Sequence, residues 1–189
     1  MMNEFPSVET ERLIMNRPNE GDTDSLISFL NESAEFSENT LNIPFPYKNS
    51  DAEFFLSKIV DEGFADGSNI TFAVRLKEDS LFAGVIGLTI FPEHQKAECG
   101  YWIAKSFQNK GYVSEALKKI IAFAFEELNL NKIYATYYPH NPASGKVMEK
   151  CGMNYEATFE KEIFKKGRFV DLIRFSLLKK EFQNSQEKL

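Results

Sequence analysis

Residues 97–128 read AECGYWIAKSFQNKGYVSEALKKIIAFAFEEL, and the change of period inside this stretch decides the fold. Ala97 to Ile103 reads as a strand. From Gly111 onward Val113, Ala116, Leu117, Ile120, Ile121, Ala124 and Leu128 recur at the spacing of one helix face. Ile133 to Tyr138 is strand-like again, and Pro142 to Cys151 reads as a short helix ended by Gly152 at its C′ position. Strand, long amphipathic helix and strand in this order predict a parallel crossover.

Upstream, Ile70, Phe72, Val74 and Leu76 alternate with Thr71, Ala73 and Arg75, and Leu81 to Phe91 follows after a turn at Lys77 to Ser80. Arg12 to Arg17 reads as a first strand stopped by Pro18. Gly21 to Asn31 is a helix candidate capped by Asp22 or Thr23. After the loop Asn39 to Asn49, Ser50-Asp51-Ala52-Glu53 has a capping-box pattern ahead of Ala52, Phe55, Leu56, Ile59 and Val60 at helical spacing. Downstream, Met153 to Phe159 and Arg168 to Leu178 read as a hairpin across Lys165-Lys166-Gly167. The expectation is an α/β fold, a central mixed sheet flanked by helices. Without repeats or linkers it forms one domain over residues 1–182, with a frayed polar tail at 183–189.

Composition narrows the function. The 189 residues carry 22 Lys+Arg against 28 Asp+Glu, a net charge of −6, with 43% hydrophobic residues and 18 Phe. A chain this long and this apolar builds its own core, which excludes disorder as the dominant state. The acidic balance argues against broad nucleic-acid affinity, which needs Lys and Arg to neutralise phosphates. A cationic substrate fits better. Cys99 and Cys151 stand alone and His94 and His140 lie far from each other, so neither a disulfide framework nor a metal site is expected. Met1 to Pro18 lacks the apolar run of a signal peptide, and no stretch approaches the ~18 apolar residues of a membrane span. These features predict a cytoplasmic protein without a membrane partner.

The chemistry concentrates in Gln108-Asn109-Lys110-Gly111-Tyr112-Val113-Ser114-Glu115. A helix start offers unpaired N–H groups and the positive end of a macrodipole. Gly111 allows a positive φ or a close backbone approach, and Lys110 can add charge. The segment therefore suits a pyrophosphate, although a glycine in a strand–helix turn is by itself ordinary.

The loop resembles the acyl-CoA-binding motif Q/R-x-x-G-x-G/A of the GNAT superfamily of acetyltransferases. Other segments resemble its RimJ/RimL-like branch, the ribosomal-protein N-terminal acetyltransferases. These are Thr10-Glu11-Arg12-Leu13-Ile14, the strand Ala97 to Ile103, Gly111 to Leu117, the turn Asn141-Pro142-Ala143-Ser144, Glu149 to Met153, and Gly167 to Asp171. The six stand in the branch's order over nearly the whole chain. The resemblance implies acetyl-CoA as cosubstrate, lying between the strand ending at Ile103 and the parallel strand ending near Tyr138. Its pantetheine would pair near Ile103, its pyrophosphate would meet the N–H groups of Gln108, Asn109, Lys110, Gly111, Tyr112 and Val113, and Asn141 would contact it while capping a helix. Val113 departs from the motif, which prefers Gly or Ala there.

The implied reaction is direct attack of an amine on the acetyl thioester, with Glu98 as base through water and Ser144 as acid for the departing thiolate. Their plain structural roles would be a solvated strand carboxylate and a helix cap. The tyrosine that many GNAT enzymes use as acid is replaced by Met148. Tyr137 and Tyr138 point to opposite faces by alternation, so one at most faces the site. Cys99 lacks a His partner and reads as an inert core thiol rather than an acyl carrier. Phe45, Pro46 and Tyr47 are candidates for the acceptor wall, and Glu115 complements the helix start. The favoured acceptor is a protein N-terminal α-amine of ribosomal type. The rivals are a polyamine or aminoglycoside acetyltransferase of the same fold, and a non-catalytic acyl-CoA-binding protein. The resemblance also admits a homodimer.

Overall fold

The computed structural model describes residues 4–186. Its strands are β1 (Val8–Glu9), β2 (Leu13–Asn16), β3 (Asn69–Leu76), β4 (Phe82–Phe91), β5 (Lys96–Ile103), β6 (Lys132–Tyr137), β7 (Asn154–Lys165) and β8 (Arg168–Leu178). They form one sheet in the order β1-β2-β3-β4-β5-β6-β8-β7. Every neighbouring pair is antiparallel except β5 and β6, which the crossover makes parallel. The helices are α1 (Thr23–Leu30), α2 (Glu35–Asn39), α3 (Asn49–Phe54), α4 (Gly63–Asp66), α5 (Tyr112–Glu126), α6 (Pro142–Lys150) and α7 (Lys179–Gln186). A π-helical run, Phe55–Glu62, joins α3 to α4. The mixed α/β sheet and its parallel crossover match the expectation from sequence.

Strand alternation divides the apolar residues between two layers. On one face Phe72, Ile86, Leu88 and Cys99 pack with Leu117, Ile120, Ile121 and Phe125 of α5. On the other, Ala73, Val85 and Phe82 pack with Leu26, Leu30, Phe36, Tyr47 and Ala52. Burying each large side chain contributes about 1.5–3 kcal/mol, so α5 is held by its apolar stripe. Gly84 sits opposite Ile103, and a Cβ there would lie 2.8 Å from the Ile103 Cα. Only glycine lets β4 approach the end of β5 this closely.

Several boundaries differ from the sequence reading. Asp22 does not cap α1. Asn19 Oδ1 accepts from the Gly21 N–H at 2.9 Å, while the buried Asp22 carboxylate takes both arms of Arg75 at 2.7 and 2.8 Å. Helix α3 starts two residues earlier than Asp51, with Asp51 rather than Glu53 accepting the N–H that precedes it, that of Lys48, at 2.7 Å. Strand β7 continues to Lys165, bulged between Phe159 and Ile163. Gln183 to Gln186, read as frayed chain, continue α7, which Phe182 anchors on Phe125 at 5.3 Å between ring centroids. Residues 187–189 lie outside the described residues. Among the described residues no helix is long and apolar enough to cross a membrane.

Candidate active site

Strands β5 and β6 pair only at Lys96–Lys132, Ala97–Ile133 and Glu98–Tyr134. Beyond Glu98 they diverge, while β5 stays paired to β4 through Ile103. The β5 edge from Cys99 to Ile103 is therefore open toward β6, and a cleft of about 760 Å³ fills the gap. An open strand edge is what an extended chain bearing amides can pair with.

The loop into α5 closes one end of this cleft. Asn109 has φ 60° and Gly111 has φ 82°, and Gly111 is the N-cap of α5. The Glu115 N–H donates to the Gly111 carbonyl at 3.0 Å. No backbone bond is made by the N–H groups from Asn109 to Ser114 among the described residues, so six donors gather at one helix start. Gln108 Nε2 donates to the Ile103 carbonyl at 3.3 Å, tying loop to strand. Ile103, Gln108, Asn109, Gly111, Tyr112, Val113 and Asn141 all line the cleft. The Lys110 side chain, expected to add charge there, does not line the cleft: its ammonium lies over the Phe107 ring at 5.6 Å. Asn141 occupies the N-cap of α6 but makes no side-chain capping bond, which leaves its amide free.

The segment Thr10 to Leu13 braces this loop. Thr10 Oγ1 donates to Glu115 Oε1 at 2.6 Å, the Arg12 N–H to the same oxygen at 3.0 Å, and Arg12 Nε to Oε2 at 2.7 Å. Arg12 Nη1 also donates to the Lys110 carbonyl at 3.1 Å, and the guanidinium lies over the Tyr112 ring at 4.7 Å. Partial burial raises the Glu115 pKa, but the hydrogen bonds from Thr10 and Arg12 outweigh it and hold the carboxyl below its usual range.

Glu98 and Ser144 reach the cleft from opposite faces of the sheet. Thr136 Oγ1 on β6 donates to Glu98 Oε1 at 2.8 Å and fixes that carboxylate where the strands part. Alternation turns Tyr101 to the α5 side, where its hydroxyl lies 2.9 Å from Ser144 Oγ and 3.1 Å from the Ser144 carbonyl. Burial pushes the Tyr101 phenol well up, so it stays a neutral donor. Tyr101 and Thr136 line the cleft beside these two candidates and are not singled out by the motifs. Alternation from Glu98 could have placed Tyr101, whereas Thr136 becomes legible only through the β5–β6 register.

Other candidates fall elsewhere. Tyr47 is core, with Asn31 bonded to both its N–H and its carbonyl at 2.8 and 2.7 Å, and burial pushes its hydroxyl to about 12. Phe45 is exposed and outside the cleft. Phe36 and the stretch 39–42 line the cleft instead. Tyr137 and Tyr138 both border the cleft, Tyr138 buried against His140 and beneath the Lys165 ammonium. Met148 is 1% exposed and packs in the core, so α6 supplies no phenol there. Cys99 is buried on the α5 side, and desolvation raises its thiol far above neutrality. Among the described residues no group of three or more His, Cys, Asp or Glu could hold a metal.

Residues 12–154 match the family model described as an acetyltransferase (GNAT) domain. The protein named Putative ribosomal N-acetyltransferase YdaF, from Bacillus subtilis (strain 168), is 37% identical over 109 residues. That stretch is 57% of this chain and 60% of the relative, less than two thirds of its length. Spermidine N(1)-acetyltransferase of Vibrio cholerae is 28% identical over 142 residues, 75% of this chain and 80% of that one. The solved structure of RimL, a ribosomal L7/L12 alpha-N-protein acetyltransferase in complex with coenzyme A, superposes with a TM-score of 0.83. It covers 92% of this chain and 98% of its own at 15% identity, a likeness of fold.

Proposed function

The chain belongs to the GNAT acetyltransferase family, and we propose that it acetylates the N-terminal α-amine of a protein, of ribosomal type, with acetyl-CoA as donor. The RimJ/RimL-like branch read in the sequence is supported by the YdaF match and by the RimL fold. The open β5 edge and the N–H groups before Glu115 suit the amides and the pyrophosphate of acetyl-CoA, which as a thioester supplies an activated acetyl group.

The observation that carries the mechanism is the opposed placement of Glu98 and Ser144 across the parted strands. The amine nitrogen attacks the thioester carbonyl, a C–N bond forms, the C–S bond breaks, and CoA leaves as thiolate. Glu98 takes the amine proton through water. Ser144 gives its hydroxyl proton to the thiolate and takes one back from solvent, while the Tyr101 hydroxyl stays neutral and orients the Ser144 oxygen. The neutral, buried Cys99 thiol favours this direct route over an acyl-enzyme. An α-amine with pKa near 7.7–8.0 is roughly one-tenth neutral at pH 7, a Lys-like amine only about once in 2,500. One carboxylate and a water suffice for the first.

A second reading, acetylation of a polyamine, is favoured by the spermidine acetyltransferase among the relatives. Replacing Glu98 with Gln tests the catalytic assignment: kcat should fall by roughly 10²–10⁴-fold with acetyl-CoA affinity unchanged. Full turnover in that variant removes Glu98 from the mechanism.

A further inference from the structure

Across the face that carries Glu98, the sheet presents a second polar group that the mechanism leaves unused. Arg174 on β8 is the cross-strand partner of Thr136, the residue that holds Glu98. Glu98 pairs with Tyr134, one step of alternation before Thr136, so Glu98, Thr136 and Arg174 share one face of β5, β6 and β8 as diagonal neighbours, and all three line the cleft. Two aromatic rings hold the guanidinium, Tyr134 at 4.6 Å and Phe159 at 4.4 Å. Its buried Nε has no hydrogen-bond partner, and the side chain enters no salt bridge among the described residues.

An arginine in a cleft wall usually answers a carboxylate or a carbonyl, because its planar fork of donors is strongly directional. Here two rings flank the guanidinium and no protein acceptor takes its N–H groups; the buried Nε is closed off, so the Nη donors are the ones left for something that enters. We propose that Arg174 reads the oxygen that neighbours the acceptor amine. In a peptide N-terminus the first carbonyl lies two bonds from the amine nitrogen, so an amine addressed to Glu98 through water carries its own acceptor for Arg174. A polyamine offers only further cations, which a guanidinium repels. The inference rests on the acceptor reading above and sharpens it: the substrate is an amine with an adjacent carbonyl or carboxylate, in the first place a peptide N-terminus.

The test compares initial rates for four acceptors: a short peptide with a free N-terminus, the same peptide with its first carbonyl reduced to CH₂, the free amino acid, and spermidine. Each rate is corrected for the neutral amine fraction. Wild type should prefer the peptide over its reduced analogue by roughly 10–100-fold, the effect of one charge-assisted hydrogen bond. Arg174→Met should erase that preference and leave acetyl-CoA affinity unchanged, which also reports an intact fold. Arg174→Lys, which keeps the charge but not the fork, should fall between. Free amino acid as the sole good substrate would support the role of Arg174 through a carboxylate while ending the protein N-terminal reading. Peptide turnover with the same preference in wild type and Arg174→Met would overturn the role of Arg174 alone. Spermidine as the sole good substrate would overturn both.

Discussion

Arg12 and Glu115 are 103 positions apart and meet through a backbone N–H bond, a side-chain bond and an ion pair of 2.6 Å. Their contact gives the Thr10-Glu11-Arg12-Leu13 segment a physical task, which is to hold the α5 loop in the shape that gathers its N–H groups. The segment was legible as a family mark, but its task was not, because nothing local in the sequence joins the two sites. Arg12→Ala should therefore weaken acetyl-CoA binding by about tenfold, the worth of one or two charged hydrogen bonds, with kcat at saturation little changed. Calorimetry checks this, and equal affinity would mean that the loop holds its shape unaided. The clamp also sets a pH dependence. Because the folded Glu115 pKa lies below its ordinary 4.5, its stabilisation is full above that value and fades as pH falls through the depressed one. Melting temperature should fall more steeply below pH 4.5 in wild type than in Glu115→Gln.

The β7–β8 hairpin and the end of α2 act together. Lys165 near the hairpin tip donates to the carbonyls of Ser37 at 2.7 Å, Glu38 at 3.0 Å and Thr40, while its ammonium lies over Tyr138 at 4.8 Å. Desolvation, with Lys166 nearby, lowers the Lys165 pKa. This tether holds the part of the cleft wall formed by Phe36 and the stretch 39–42, which we propose borders the acceptor. Lys165→Met should raise the acceptor KM severalfold and leave acetyl-CoA affinity unchanged. An equal rise in the KM for both substrates would contradict the assignment. Sequence periodicity located β5, α5, β6 and α6 to within a residue or two, because each has a strong apolar stripe. It singled out Phe45 to Tyr47, which do not line the cleft, since an aromatic loop residue reads alike whether it lines a cleft or, like Tyr47, plugs a core. It also missed Arg174, whose meaning comes from pairing with Thr136 rather than from any neighbour in the chain.

Among the described residues, one sheet has a single parallel pair that parts after three residue pairs, with a helical layer on each face. The groups proposed to hold the donor and protonate its thiolate, the α5 start and Ser144, lie toward one layer, and Glu98 with Arg174 faces the other. Two substrates can then approach from opposite sides and meet in the gap, which suits direct transfer. With an α-amine acceptor below saturation, kcat/KM should rise roughly tenfold per pH unit below about 7.7 and level off above it, following the neutral amine. A rise that continues past pH 9 would indicate a Lys-like or polyamine acceptor.

The acceptor decides the account, and one labelling experiment addresses it directly. The protein is incubated with acetyl-labelled CoA and a cell extract, and the labelled fraction is separated by size and mapped by peptide. Label on an N-terminal α-amine of a protein is the predicted result. Label confined to small molecules would contradict the account and move the chain to the small-amine acetyltransferases of the same fold.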